Sequence, residues 1–166
     1  MSVQPGEAPW LAIARGYLGV AEIPGKDSAP IIVGWLKRLR AWWSEDSTPW
    51  CGTFAAECLT EAGIVPPRAW YRAKAYLDWG MALRTPVPGC IVVYDRAGGG
   101  HVGFAIARTA AGEILTLGGN QGDRVSIAPF PAARVLGYRW PWDGLRFPHS
   151  LWLPLEAAGG ATPSDA

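Results

Sequence analysis

The stretch TPWCGTFAAECLTEAG, Thr48 to Gly63, sets where one helix begins and what it presents. Thr48 is a good N-cap residue, and Pro49 suits the first helical position, where its missing N–H costs nothing. A helix is therefore expected to start immediately before Trp50. Cys51 then falls in the first turn, where unpaired backbone N–H groups and the positive end of the helix dipole favour a thiolate. It is a candidate nucleophile, set against the ordinary alternative of a small buried hydrophobe. Cys51, Ala55, Cys58 and Ala62 share one stripe, and the helix stops at Gly63. Small residues in that stripe suit close packing on a sheet, with Cys58 as plain core.

Downstream, IVPPRAW is a breaker, and Trp70 to Trp79 is expected to form another short helix ending at Gly80. After TPVPG the pattern changes. CIVVYD, HVGFAIAR, EILTLGG, RVSIAPF and VLGYRW are short β-branched or aromatic runs, separated by AGGG, TAAG, NQGD and a PFPAA break. They predict a strand meander and hence a mainly antiparallel sheet. In the second run Val102, Phe104 and Ile106 point to one face, and His101, Gly103, Ala105 and Ala107 to the other. The small residues beside His101 mark that face as the one a helix is expected to approach.

Upstream, Trp10, Leu11, Ala14, Tyr17 and Leu18 give a helical rhythm from Pro9 to about Gly19. Pro24-Gly25 marks a turn. Asp27 or Ser28 is placed to cap a second helix, in which Ile31, Ile32, Trp35, Leu36 and Leu39 share a face. Lys37, Arg38 and Arg40 read as its solvated end. Trp42 and Trp43 then open a loop into the Cys51 helix. They have the chemistry to stack on sugar rings or to line a groove, although in a chain with ten tryptophans packing is the default.

At 166 residues the chain suits one domain. Residues 1–8 read as a flexible lead, 9–141 as a single catalytic-size domain, and 142–166 as a tail whose last dozen residues are expected to be disordered. Fifteen basic against 14 acidic residues, with no charge run, point away from nucleic acid or an anionic membrane as partner. Three cysteines without a CxxC pair, beside only two histidines, argue against a metal site or a disulfide framework. MSVQPGEAPW lacks the pattern of a signal peptide, and no apolar run is long enough for a membrane span. Synthesis in the cytoplasm is expected, with delivery elsewhere by another route.

A cysteine at a helix start and a histidine at a strand start are what a cysteine hydrolase needs. The thiolate attacks a carbonyl, the imidazole handles the proton, and a third polar group fixes the ring. His101 fits the second part, with satisfied histidine at a sheet edge as its plain alternative. The glycines 98–100 before it leave room to aim the ring. In an antiparallel meander the end of the next strand lies beside His101, which makes Asn120 the expected orienter, with Gln121 and Asp123 as fallbacks. An asparagine there is also ordinary turn chemistry. Backbone N–H groups at the helix start, that of Cys51 above all, are the natural oxyanion donors.

The ordered set PWC at a helix start, PGxIVVY opening a sheet, GHVGF on the next strand and GGNQ after the third resembles the papain-like peptidoglycan hydrolases of the CHAP and NlpC type. It is most similar to a small subgroup common in phages and bacterial genomes, which shares the N-terminal helices and the closing LGYRWP. The likeness runs from about Pro9 to Pro141. It implies an α+β, papain-like fold with N-terminal helices and a nucleophile helix on an antiparallel sheet of about five or six strands. It implies Cys51 as nucleophile, His101 as base and acid, and Asn120 as orienter, with no metal or cofactor. Trp50, Trp42 and Gln121 are the expected substrate-binding residues. The implied reaction is cleavage of peptidoglycan amide bonds, either between muramic acid and L-alanine or within the stem peptide, by an endolysin, a tail-associated lysin or an interbacterial toxin. A monomer acting in the periplasm or at the cell wall is expected, with an immunity or inhibitor protein as partner if it is a toxin. One departure is Cys90, where such proteins usually have an acidic residue after Pro-Gly. The competing readings are a non-catalytic glycan-binding module and a thiol-dependent acyltransferase or deamidase acting on another protein.

Overall fold

Pro9 and Pro30 open the first two helices, α1 (Pro9–Gly16) and α2 (Pro30–Arg38), at positions where no N–H is needed. The structure, a computed structural model, describes residues 6–25, 27–144, 146–150 and 152–156. α1 buries Trp10, Leu11 and Ala14, and α2 buries Ile32, Trp35 and Leu36, as the periodicity requires. The cap of α2 is not Asp27 or Ser28. Asp46, from the loop before Cys51, accepts the N–H of Ala29 at 2.7 Å and that of Ile23 at 2.8 Å, tying three segments together.

The nucleophile helix, α3 (Cys51–Glu61), begins later than Thr48 predicts. Trp50 occupies the N-cap with φ −121° and ψ 19°, and no side chain caps the helix. The first-turn N–H groups are therefore left for other partners. Residues 51–59 are all buried, because α1 and α2 cover one side of α3 and the sheet covers another. Glu57 is fully buried within it and is held by an ion pair to Arg38 of α2.

Six strands follow: β1 (Met81–Leu83), β2 (Ile91–Arg96), β3 (Gly99–Arg108), β4 (Ile114–Gly118), β5 (Ser126–Phe130) and β6 (Val135–Trp140). They form one antiparallel sheet in the order β1-β6-β2-β3-β4-β5, giving the expected α+β architecture. Two details differ from a simple meander. β6 does not continue beyond β5; it returns to pair with β2, and the short β1 adds outside it. Between Trp70 and Trp79 the chain forms a 3-10 helix, Ala73–Asp78, in place of an α-helix.

The face of the sheet that meets α3 is also the reverse of the one expected. The Phe54 and Phe104 rings lie 6.4 Å apart, so α3 packs on the Val102/Phe104 face. The small residues on the His101 face serve other neighbours. A Cβ on Gly103 would come within 2.5 Å of Thr116 Cγ2, so glycine there lets β4 close on β3.

Beyond Trp140 the chain packs on the domain. Trp140 donates to the Arg146 carbonyl at 2.8 Å, Arg108 donates to the Pro154 carbonyl at 2.9 Å, and Leu153 is buried. Of the expected disordered end, residues 157–166 lie outside the described residues, as do 1–5 of the expected lead. Among the described residues, no helix is long and apolar enough to cross a membrane.

Candidate active site

The site forms where β4 parts from β3. Pairing of these strands begins at Phe104↔Leu117, so the first part of β3 has no partner on that side. The N–H of Ala105 donates to Cys90 on the β2 side, and alternation then turns the N–H of Val102 the other way, toward the gap. The start of α3 occupies that gap. The N–H groups of Val102, Gly52 and Cys51 itself lie near enough to the Cys51 sulfur to favour its charged form. The candidate nucleophile thus lies against the residue that follows His101.

Burial decides the resting state of the thiol. Cys51 is 5% exposed, and desolvation pushes its pKa up; the three N–H groups and the charge of Arg96 oppose this without reversing it. The thiolate expected from the helix start alone is therefore not the resting form, because the site is dry. Cys58 is pushed up well beyond its ordinary value and Cys90 to about 12, both by burial, so these thiols are inert core. The acidic residue replaced by Cys90 has left no reactive group behind.

His101 is 2% exposed, and burial is the main reason its pKa is pushed down to about 4. Arg96 and Arg134 push the same way, while a hydrogen bond to Gln121 opposes them. The ring is clamped by stacking on Phe130 at 5.1 Å, with Tyr94 stacked 4.6 Å from Phe130. Tyr94 is itself fixed by a 2.7 Å hydrogen bond between its hydroxyl and Thr116 Oγ1. Neither aromatic was singled out from the sequence, although Tyr94 sits directly opposite His101 in the β2–β3 pairing.

The orienting group is Gln121 and not Asn120. Gln121 Oε1 lies 2.8 Å from His101 Nε2. The amide can be assigned from its other contacts, because Gln121 Nε2 donates to the carbonyls of Thr116 at 3.1 Å and Ser126 at 2.9 Å. With the NH2 group on two carbonyls, Oε1 is the atom that faces the ring, and His101 Nε2 must donate. The lone pair is then on Nδ1, which accepts no hydrogen bond among the described residues. Asn120 instead holds the turn. Its φ is +58°, a left-handed conformation that asparagine tolerates, and this turn folds the Gln121 side chain back under β4. Gly118 makes the space: a Cβ there would strike the Gln121 amide and lie 3.4 Å from His101 Nε2.

The three expected substrate-binding residues separate. Gln121 is consumed by the imidazole and two carbonyls. Trp50 is 1% exposed, packs 6.1 Å from Trp35 and donates to Glu22 Oε2 at 2.9 Å, so it is a core residue and not a surface for substrate. Trp42 is 76% exposed. It packs edge-on against Trp43 at 4.7 Å and Tyr71 at 4.9 Å, and Trp70 lies 5.7 Å from Trp43. This aromatic patch borders the nucleophile helix, since a Cβ on Gly52 would come within 3.1 Å of Tyr71 main chain. A cavity of about 790 Å³ lies elsewhere, between Leu11, Arg15, Trp140 and Phe147.

Against known families, residues 43–120 match the CHAP domain, which bears out the CHAP part of the resemblance read from the sequence over that stretch. No curated protein gives a match to the chain. CHAP domains are generally hydrolases that act on peptidoglycan.

Proposed function

We propose that this protein, with a CHAP match spanning Cys51 and His101, is a cysteine amidohydrolase that cuts peptidoglycan between the muramoyl lactyl group and L-alanine. The observation that carries the chemistry is the Gln121 amide. Pinned by two carbonyls, it makes His101 Nε2 a donor and leaves Nδ1 as base for the thiol lodged at the neighbouring Val102 N–H.

As Cys51 Sγ attacks the carbonyl carbon, its proton passes to His101 Nδ1. The imidazolium forms only then, held by Gln121 Oε1. The C–N bond breaks as the same proton moves to the leaving amine, giving a thioester on Cys51 and a free amino group on alanine. Water then gives a proton to Nδ1 and attacks the thioester, and the proton returns to sulfur as the acid leaves. The uncapped N–H groups at the start of α3 are the donors for the developing oxyanion.

The aromatic patch favours the muramoyl bond over one within the stem. Exposed Trp42 and its neighbours offer ring faces for the C–H faces of a sugar, next to the helix that carries Cys51. The second reading, a stem-peptide endopeptidase, keeps the same catalytic groups. In either form the protein would work at the cell wall, as a phage lysin or as an interbacterial toxin.

Purified sacculi treated with wild type and with Cys51→Ala test the proposal, with soluble products identified by mass spectrometry. New amino termini on alanine, absent with the variant, are expected. Cut stem peptides would replace the amidase with the endopeptidase. Intact sacculi with both proteins would overturn the hydrolase reading.

A further inference from the structure

Among the described residues, two guanidinium groups beside the candidate site have no carboxylate within ion-pair distance. Arg96 and Tyr94 share one face of β2, and the cross-strand partners of these two residues are Gly99 and His101. Arg96 is exposed at the hairpin tip and forms no ion pair among the described residues. Arg134 is held from the next layer. It donates to the Asp95 carbonyl from Nε at 3.1 Å and from Nη2 at 2.9 Å, and its Cζ lies 5.9 Å from the centre of the Phe130 ring that stacks on His101. The Asp95 carboxylate is turned to Lys74, 3.7 Å away, and not to either arginine. Arg134 is therefore oriented by main chain, and its Nη1 has no partner among the described residues.

This arrangement works against the reaction as long as it is empty. The mechanism needs His101 to become an imidazolium, and both arginines disfavour that charge. A substrate anion between them would remove the penalty and turn an unfavourable field into binding energy.

We propose that Arg96 and Arg134 form a carboxylate-binding site next to Cys51 and His101, which takes a free carboxylate of the substrate peptide within one or two residues of the scissile amide. The preferred substrate is thus an acidic wall peptide, and amidation of that carboxyl group is the feature the enzyme rejects. This inference rests on the hydrolase reading above and adds its selectivity.

Two synthetic muramoyl tetrapeptides, identical except for a free carboxylate or a carboxamide on the second residue, provide the test. Wild type is expected to cut the acid form with a kcat/KM roughly 10- to 100-fold higher, as for a charge-assisted guanidinium contact, and added salt is expected to shrink that ratio. The double variant Arg96→Gln/Arg134→Gln is expected to bring the ratio to about one, losing rate on the acid form and gaining it on the amide form, where the unneutralised arginines no longer oppose the imidazolium. Because Arg134 also braces the end of β2 at Asp95, Arg96→Gln is measured separately, and a several-fold drop in the ratio is expected from it. Equal rates on the two peptides with wild type, or an unchanged ratio in Arg96→Gln, would overturn the site and leave the hydrolase standing. Failure of wild type to cut either peptide or sacculi would remove the hydrolase reading itself, and the selectivity with it.

Discussion

Replacing Gln121 by methionine, a side chain of similar length without polar atoms, isolates what the amide does. The change removes the 2.8 Å contact to His101 Nε2 and the bonds to the carbonyls of Thr116 and Ser126 at 3.1 and 2.9 Å. All three partners are buried, so each lost bond leaves an unpaired group at a cost of about 1 kcal/mol or more, or roughly 3 to 5 kcal/mol together. The catalytic effect is larger in proportion. Without Oε1 the ring is free to protonate Nδ1 and present the wrong tautomer, which costs on the order of 10²- to 10⁴-fold in kcat when a catalytic histidine loses its orienter. Glutamate at the same position is expected not to rescue, because its second oxygen would face the two carbonyls that now accept hydrogen bonds. Asn120→Gly removes the other candidate while keeping the left-handed turn, and its kcat/KM is expected to stay within about threefold of wild type. Release of soluble muropeptides from sacculi is the assay, with rates normalised to the folded fraction from denaturant unfolding. A Gln121→Met enzyme of near wild-type rate, or an Asn120→Gly enzyme slowed by orders of magnitude, would refute the assignment.

Three further outcomes follow from burial and packing. His101 titrates at about 4 when folded, against an ordinary value of 6.5, so the unfolded chain binds more protons between those pH values. Its contribution to stability is complete above the upper value and is lost as pH falls through the window, by roughly 3 kcal/mol; unfolding curves of wild type and His101→Gln should therefore converge on acidification, and parallel curves would contradict it. Iodoacetamide should label Cys51 with an inflection above that of a free thiol, and Cys58 and Cys90 only on unfolding; a Cys51 inflection well below the free-thiol value would show a resting thiolate. Gly52→Ala should lose stability by about 1 to 3 kcal/mol despite alanine's helix advantage of about 1 kcal/mol, because its Cβ would strike the Trp70 carbonyl oxygen and lie 3.1 Å from Tyr71 main chain. It should also slow the enzyme, and a stabilised, fully active variant would refute that packing.

Much of this was legible in the sequence where one residue type had one physical use. Proline opened α1 where expected, the five long strand runs are strands, and Cys51 lies against Val102, the neighbour of His101 in β3. β1 was not legible, because Met81–Leu83 has no alternation of its own and exists only through pairing with β6. The face of β3 that meets α3 was misread for a definite reason. Small residues on the His101 side do mark a close approach, but by Thr116 of β4 at Gly103, and a single strand does not say which neighbour comes close. The exchange of Asn120 for Gln121 has the same origin. Adjacent residues at a turn differ in direction, and only the positive φ of Asn120 determines which side chain folds inward. Trp50 was expected to bind substrate, but the bond to Glu22 and the packing on Trp35 draw it into the core. The lowered thiol pKa failed because helix-end effects assume solvent access, and the finished fold removes it.

The central claim is that acyl transfer runs through the sulfur of Cys51, with His101 Nδ1 moving the proton. Rapid acid quench of the enzyme during turnover of a muramoyl peptide, followed by mass spectrometry of its digest, addresses that directly. The account predicts the muramoyl acyl mass on the peptide that carries Cys51, chased by time and lost in Cys51→Ala. Turnover that continues in Cys51→Ala, or an acyl group found on Cys58 or Cys90, would contradict it.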